Sequence, residues 1–354
     1  MNGTGRGRES DDPVRVLLAC GWLTPTQASD PRLKIADSSS SHTVFRVTAP
    51  DGRTVVVKQR PRKAAESGRN LSREFYVYRM AKWMPALADL LPNPLFIDER
   101  QQVLVLETPP SERRAADEGS SLGLGPPGVA SQLGRKMAAW HRATTEVALW
   151  PSLAVGVLSL PDALDTALEG RAANTRDFMR AIAADAELAA ALREALSRHR
   201  HLCLIHGDIR RENWMVERRG GEDTLRVFDW EMSGSGDPAW DVGSVLAEAL
   251  LHTIRTGGSM PSDTRVWPTA SESAIREFVL AYVAEGGLID EREGNAWDHV
   301  TGCASARLLH VCCEWAEAGA PTTHGAIPMI VAMARDLVRN RAEAAALLTV
   351  WSVP

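Results

Sequence analysis

Apolar and polar positions along this chain change their period at identifiable places. Residues 43–48, Thr-Val-Phe-Arg-Val-Thr, alternate, which predicts a strand with one buried face. Pro50-Asp51-Gly52 is a turn signal, and residues 53–58, ending Val-Val-Val-Lys, give a second strand and so a β-hairpin. From Leu71 to Met84 the period becomes helical, with Leu71, Phe75, Tyr78 and Ala81 three and four residues apart. Asn70 or Ser72 can cap this helix, and Pro85 lies just past its end. Residues 94–98 and 102–107 predict two more strands around a turn at Glu99-Arg100. Residues 43–107 therefore form a small antiparallel sheet with one helix, preceded by a short helix over 14–23 and a polar run over 36–42.

Residues 108–128 are rich in proline, glycine and charge and predict a hinge followed by a mobile loop. Beyond them helical periodicity dominates: 129–146, one or two alanine-rich helices over 161–199, then 240–256, 270–285, 292–318 and 325–349. The strands of this half are 202–206, 213–217 and 224–229, with Gly220-Gly221 turning between the last two. The expected organisation is a disordered tail over 1–13, a sheet-bearing lobe over 14–107, the hinge and loop over 108–128 and a helical lobe over 129–354. A chain of 354 residues exceeds the size at which one core usually keeps growing, in agreement with two lobes and an α+β class.

Composition narrows the classes. A net charge of −5 argues against general affinity for nucleic acid or an anionic membrane. No apolar run reaches membrane-spanning length, and the polar N-terminus lacks the apolar core of a secretory signal. Those two features lead to the expectation of a cytoplasmic setting, and the five cysteines, which form no Cys-x-x-Cys and are odd in number, predict buried free thiols. Of forty basic residues five are lysines, so a lysine in a structured position needs a reason.

Chemistry concentrates in residues 204–216, Leu-Ile-His-Gly-Asp-Ile-Arg-Arg-Glu-Asn-Trp-Met-Val. Asp208 and Asn213 sit in a loop between short apolar strands and can aim at one point, while Asp229 ends the strand Leu-Arg-Val-Phe-Asp. Two carboxylates and an amide suit a hard cation such as Mg2+, which keeps positions for phosphate and water. Lys58 emerges from a buried strand as a compact point charge of the kind used on phosphates. Glu74 shares its helix face with Leu71, Tyr78 and Ala81, and a carboxylate there needs a partner, for which Lys58 is the candidate.

The ordered set His206-Gly207-Asp208, Asn213, Asp229-Trp230-Glu231 and Gly236-Asp237-Pro238-Ala239-Trp240-Asp241 resembles the signature of the aminoglycoside phosphotransferase and choline kinase family. Lys58, Glu74, the break after Leu-Val-Leu-Glu and the helix ending at His141 extend the likeness over roughly residues 36–252. The resemblance implies a bilobal protein-kinase-like fold, with ATP or GTP and Mg2+ as cofactors. Asp208 is then the catalytic base, Arg210 a contact to the γ-phosphate, and Asn213 and Asp229 the metal ligands. Lys58 meets the α- and β-phosphates with Glu74 holding it, and Glu107 and Thr108 form the hinge that meets the adenine. His206 and Asp241 are implied to prop the loop, and Asp237 to shape a turn. The usual glycine-rich phosphate loop is absent, and Ser38 to Ser41 occupy its place, with Ser40 and Ser41 the candidates to cover phosphates.

The acceptor stays open between a small molecule, aminoglycoside- or choline-like, and Ser or Thr of a precursor peptide. A looser likeness to kinases of class V lanthipeptide and thioamitide maturation supports the latter, and implies a partner lyase. Glu248, Asp298, Glu314 and Glu317 are available to a polycation, yet Arg307, Arg335, Arg339 and Arg341 are interspersed. A catalytically inactive scaffold with the same fold is the alternative.

Overall fold

The structure, a computed structural model, describes residues 12–39, 43–60, 71–108, 113–114, 124, 128–145, 152–153, 155–219, 222–255, 267, 269–289, 295–319 and 325–353. Ser40, Ser41, Asn70, the Gly220-Gly221 turn, and most of the 1–13 tail and the 108–128 loop lie outside the described residues. The fold is α+β and divides into two compact units: the chain up to Arg113 with Met215–Glu231, and Arg114–Trp214 with Met232–Pro354.

In the first unit, helix α1 (Pro13–Ala19) starts at Asp12, whose carboxylate accepts from Val14 N, with proline at the first turn. Strands β1 (Lys34–Asp37), β2 (Thr43–Thr48) and β3 (Thr54–Gln59) are followed by helix α2 (Ser72–Ala81) and strands β4 (Pro94–Asp98) and β5 (Val103–Thr108). The sheet order is β1-β2-β3-β5-β4, and every pairing is antiparallel. β1 was not predicted; as an exposed edge strand it needs no alternation. Leu17 and Leu23 pack with Phe45, Val47, Val55, Val57, Val103 and Val105 on one face of the sheet. Lys58 has the opposite parity to Val57, so its side chain leaves by the other face. Ser72 is the first helical residue and does not cap α2; Leu71 holds that position, and its N–H donates to Gln102 Oε1 at 2.9 Å.

The second unit is built on α3 (Val129–Ala143), α4 (Ala173–Ala184) and α5 (Ala186–Arg198), with the short strand β6 (Cys203–Ile205). Asp185 closes α4 and caps α5, which divides the alanine-rich region in two after a single turn at Leu164–Leu168. The hairpin β7 (Trp214–Arg219) and β8 (Glu222–Val227) follows in sequence but, from Met215 on, belongs to the first unit, where Val227 N donates to Leu90 O. β9 (Gly234–Gly236) pairs antiparallel with β6; Gly-Ser-Gly carries no strand signal, so this strand was not foreseen. Then come α6 (Pro238–Arg255), α7 (Thr269–Ala284), α8 (Ala296–Ala318), α9 (Ile327–Arg339) and α10 (Arg341–Ser352). The single helix expected over 325–349 is thus two, broken at Asn340. α6 is the most enclosed helix, buried without a break from Pro238 to Thr253, and α8 is buried over most of Trp297–Cys312 among α6, α9 and α10.

Among the described residues no helix is long and apolar enough to cross a membrane. All five cysteines are free, with Cys203, Cys303 and Cys312 buried and Cys20 and Cys313 partly so. Trp140, Trp214, Trp230, Trp240, Trp267 and Trp297 are fully buried, so these six are core residues.

Candidate active site

In the first unit, strand parity and helix phase bring Lys58 and Glu74 together. Lys58 Nζ donates to Glu74 Oε1 and Oε2 at 3.0 and 2.9 Å, and to Asp229 Oδ1 at 2.7 Å. Lys58 is 4% and Glu74 0% exposed, so these are charge-assisted bonds in a dry setting. Burial works against the Lys58 ammonium, but the charges of Asp229 and Glu74 outweigh it and hold its pKa above that of ordinary lysine. Burial raises Glu74, opposed by Lys58 and reinforced by Asp229. Asp229 follows β8 in a left-handed conformation, φ 68°, which aspartate tolerates better than most residues.

The second unit holds the loop after β6. Asp241, in the first turn of α6, accepts from His206 N at 2.7 Å and Gly207 N at 3.0 Å. His141 Nε2 lies 3.3 Å from the same carboxylate, and His141 Nδ1 lies 3.0 Å from Tyr282 Oη. Trp240 Nε1 donates to Gly207 O at 3.0 Å. Gly207 has φ 81°, and a Cβ there would run into the Met232 carbonyl, so glycine is required on two counts. Asp208 N donates to His206 Nδ1 at 3.2 Å, which sets that nitrogen as the acceptor. His206 and Asp241 thus brace the loop, as expected. Asp237 accepts from Ala239 N and Arg200 N at the start of α6 and pairs with His299; although burial opposes it, these partners hold its carboxyl below the usual range.

A single 3-10 turn, Arg211–Asn213, returns the chain towards Asp208. Asn213 Nδ2 donates to Asp208 O at 2.9 Å and Asp208 Oδ2 at 3.2 Å. Arg210 Nη2 lies 2.8 Å from Asp208 Oδ2, and Arg307 Nη2 donates to Asp208 Oδ1 at 2.7 Å. Arg210 also reaches Glu314 at 3.4 Å. Arg211 is buried against His252, with Nη1 to Nδ1 3.0 Å.

The predicted residues therefore gather as two sets: Lys58, Glu74 and Asp229 in the first unit, and Asp208, Arg210 and Asn213 in the second. Glu107 and Thr108 end β5; Glu107 N is committed to Asn93 O, its carboxylate accepts from Asn93 Nδ2, and Thr108 is buried. In the sequence Arg307 stood out only as one of the arginines interspersed among acceptor-side acids, and His310 did not stand out at all. The signal was there: an arginine and a histidine three residues apart inside the apolar run Cys-Ala-Ser-Ala-Arg-Leu-Leu-His-Val-Cys-Cys.

In the second unit Asn213 spends its amide nitrogen on Asp208, which leaves its carbonyl oxygen, and in the first unit Lys58 engages one carboxylate oxygen of Asp229; carbonyl and carboxylate oxygens are the donor types that a hard divalent cation takes. Among the described residues no group of three or more His, Cys, Asp or Glu is placed to hold a metal ion.

A small antiparallel sheet carrying a buried lysine–glutamate pair, followed by a helical unit with a braced His-Gly-Asp loop, defines a phosphotransferase of the protein-kinase-like fold. The chain belongs to the phosphotransferase enzyme family, whose model matches residues 32–284. Among solved structures it is similar to a choline/ethanolamine kinase family protein from Mesorhizobium loti, with TM-score 0.58 and 18% identity over 96% of this chain and 99% of that one. Choline kinase from Cryptosporidium parvum Iowa II gives TM-score 0.57 and 9% identity over 97% and 100% of the two chains. Amicoumacin kinase hAmiN, in complex with AMP-PNP, Ca2+ and Ami, gives 0.54 and 13% over 95% and 96%. These identities establish the fold. No curated protein matches the sequence.

Proposed function

We propose that the protein is an ATP- and Mg2+-dependent kinase that moves the γ-phosphoryl group to an alcohol hydroxyl, of a small molecule or of Ser or Thr in a precursor peptide. The observation that carries this reading is the ion triad of buried Lys58 and Glu74 with the half-buried Asp229, which joins residues 171 apart in sequence. Such a constellation is costly to bury and has a use where a triphosphate must be met by a fixed cation.

In the first unit Glu74 holds the Lys58 ammonium as a point charge for phosphate oxygens. Asp229 and Asn213 would hold the Mg2+, which when bound neutralises the charge on the transferring group. In the second unit Asp208 takes the acceptor hydroxyl: the hydroxyl oxygen bonds to the γ-phosphorus, the bond to the β-γ bridging oxygen breaks, and ADP leaves. The hydroxyl proton is oriented by, and passes towards, Asp208. Both Asp208 oxygens are engaged in the structure, Oδ1 by Arg307 and Oδ2 by Arg210 and Asn213, so the hydroxyl displaces the half-exposed Arg210, which then turns to phosphate.

Charge around Asp208 favours an uncharged acceptor over a polycation. Glu314 is engaged by Arg210, Glu248 by Arg255, and Asp298 by both Arg198 and Arg341. The free thiols agree with action in the cytoplasm.

The test uses full-length protein with Mg-ATP and two acceptor sets: neutral and amino alcohols, and a Ser/Thr-rich peptide. One set gains the mass of a phosphoryl group, and Asp208→Asn lowers kcat by about 10^3-fold or more while Mg-ADP still binds. Mg-ATP binding without transfer to either set or to water would point to the scaffold reading instead.

A further inference from the structure

Asp208 belongs to a chain of five side chains within the second unit that nearly closes on itself, open only between His310 and Glu314. Arg307 Nη2 donates to Asp208 Oδ1 at 2.7 Å, and Arg307 Nη1 reaches His310 Nδ1 at 2.8 Å. His310 Nε2 lies 4.0 Å from Glu314 Oε1, Glu314 Oε2 accepts from Arg210 Nη1 at 3.4 Å, and Arg210 returns to Asp208 Oδ2 at 2.8 Å. Three members, Arg307, His310 and Glu314, stand three and four residues apart on α8, so one helix face presents them together.

The two arginines differ in freedom. Arg307 is 0% exposed, whereas the Arg210 side chain is 35% exposed and is shared with Glu314. Arg307 is also poorly served as a structural residue: its Nε has no hydrogen-bond partner among the described residues. A guanidinium enclosed in a helix core with an unmatched N–H is a poor packing choice, since an apolar side chain of that size fills the space at lower cost. What an apolar replacement cannot do is reach two points at fixed separation, as the planar fork does from Asp208 to His310.

We infer that Arg307 is the positioning residue of the transfer reaction, tying one oxygen of Asp208 to α8 through His310 so that the other oxygen, which keeps only the 3.2 Å bond from Asn213, turns to the acceptor when Arg210 leaves. This deepens the kinase reading and rests on it. Arg307 touches neither substrate nor metal; it acts through Asp208. His310 serves as the fixed acceptor that stops the fork from rotating, and its other neighbour, the Trp240 ring at 6.3 Å, comes from the helix that braces the loop.

The experiment measures phosphate release from Mg-ATP with water as acceptor, together with Mg-ADP affinity and thermal melting. For Arg307→Met, Mg-ADP affinity stays within about twofold of wild type while kcat falls by about 10^2-fold, the loss expected when a reacting group is misplaced by an ångström. His310→Leu falls about tenfold, and His310→Gln, whose amide oxygen can still accept from Arg307, recovers most of that. A merely structural role would give loss in proportion to melting temperature and no difference between the His310 variants. Wild-type rates in Arg307→Met, or equal rates in His310→Gln and His310→Leu, overturn the inference. Should Arg307→Met fail to fold, the half-buried His310 pair decides alone. Wild-type protein that releases no phosphate sinks the kinase reading and this inference with it; wild-type release with unaltered variants sinks this inference only.

Discussion

Lys58 and Glu74 show how a residue pair can be more informative than either member. Each sits on a face that is otherwise apolar, and each is nearly or wholly removed from water. A buried ion pair is weak evidence for stability, but breaking one leaves an uncompensated charge. Lys58→Met should therefore lower unfolding free energy by about 3–5 kcal/mol in urea titrations, because it strands the Glu74 carboxylate. The double variant Lys58→Met/Glu74→Leu should recover much of that stability while remaining inactive. If the double variant is no more stable than the single, the pair is not coupled as the 2.9 and 3.0 Å contacts indicate. The pairing was legible in the sequence because a carboxylate on an apolar helix face demands a partner. The Asp208–Asn213 pairing was legible because both residues lie within one short loop. Arg307 was not, because its partner is 99 residues away and nothing local says which way a buried arginine on α8 turns.

At the scale of elements, the same division between local and distant signals recurs. Strands β2 to β5, α1, α2 and the long helices were readable from period and turn residues. β1 and β9 escaped because one is an exposed edge and the other is Gly-Ser-Gly, both formed by pairing with a neighbour. The contact of α6 with α8 is set by Gly243, where an added Cβ would lie 2.8 Å from Ala304 N and 2.9 Å from Cys303 Cβ. Gly243→Ala should force the helices apart and cost about 1–3 kcal/mol, read as a lower urea midpoint. Because α6 carries Asp241 and α8 carries Arg307, the same variant should lower turnover beyond what its loss of folded protein explains. Turnover that tracks the folded fraction alone would show that the two helices do not set the loop.

For the whole molecule, acid sensitivity follows from His310. Burial and the neighbouring Arg307 charge lower its pKa from 6.5 to about 4. A histidine depressed in the folded state contributes stability that is fully present above its unfolded value and is lost as pH falls towards the folded one. The wild-type denaturation midpoint should accordingly decline between pH 6.5 and 4, and His310→Gln should decline less over that range. Parallel curves would show that His310 is not the group responsible. A last consequence concerns biosynthesis. Met215–Glu231 completes a unit whose other part ends at Arg113, so on the ribosome that unit stays unfinished for the 118 residues from Arg113 to Glu231, about ten seconds of elongation. Through that interval Lys58 and Glu74 exist without Asp229, and a nascent chain halted before residue 229 presents an incomplete sheet-bearing unit to chaperones and proteases. Expression of fragments ending at Arg113 should then yield aggregates, whereas adding the 215–231 hairpin through a flexible linker should return soluble protein.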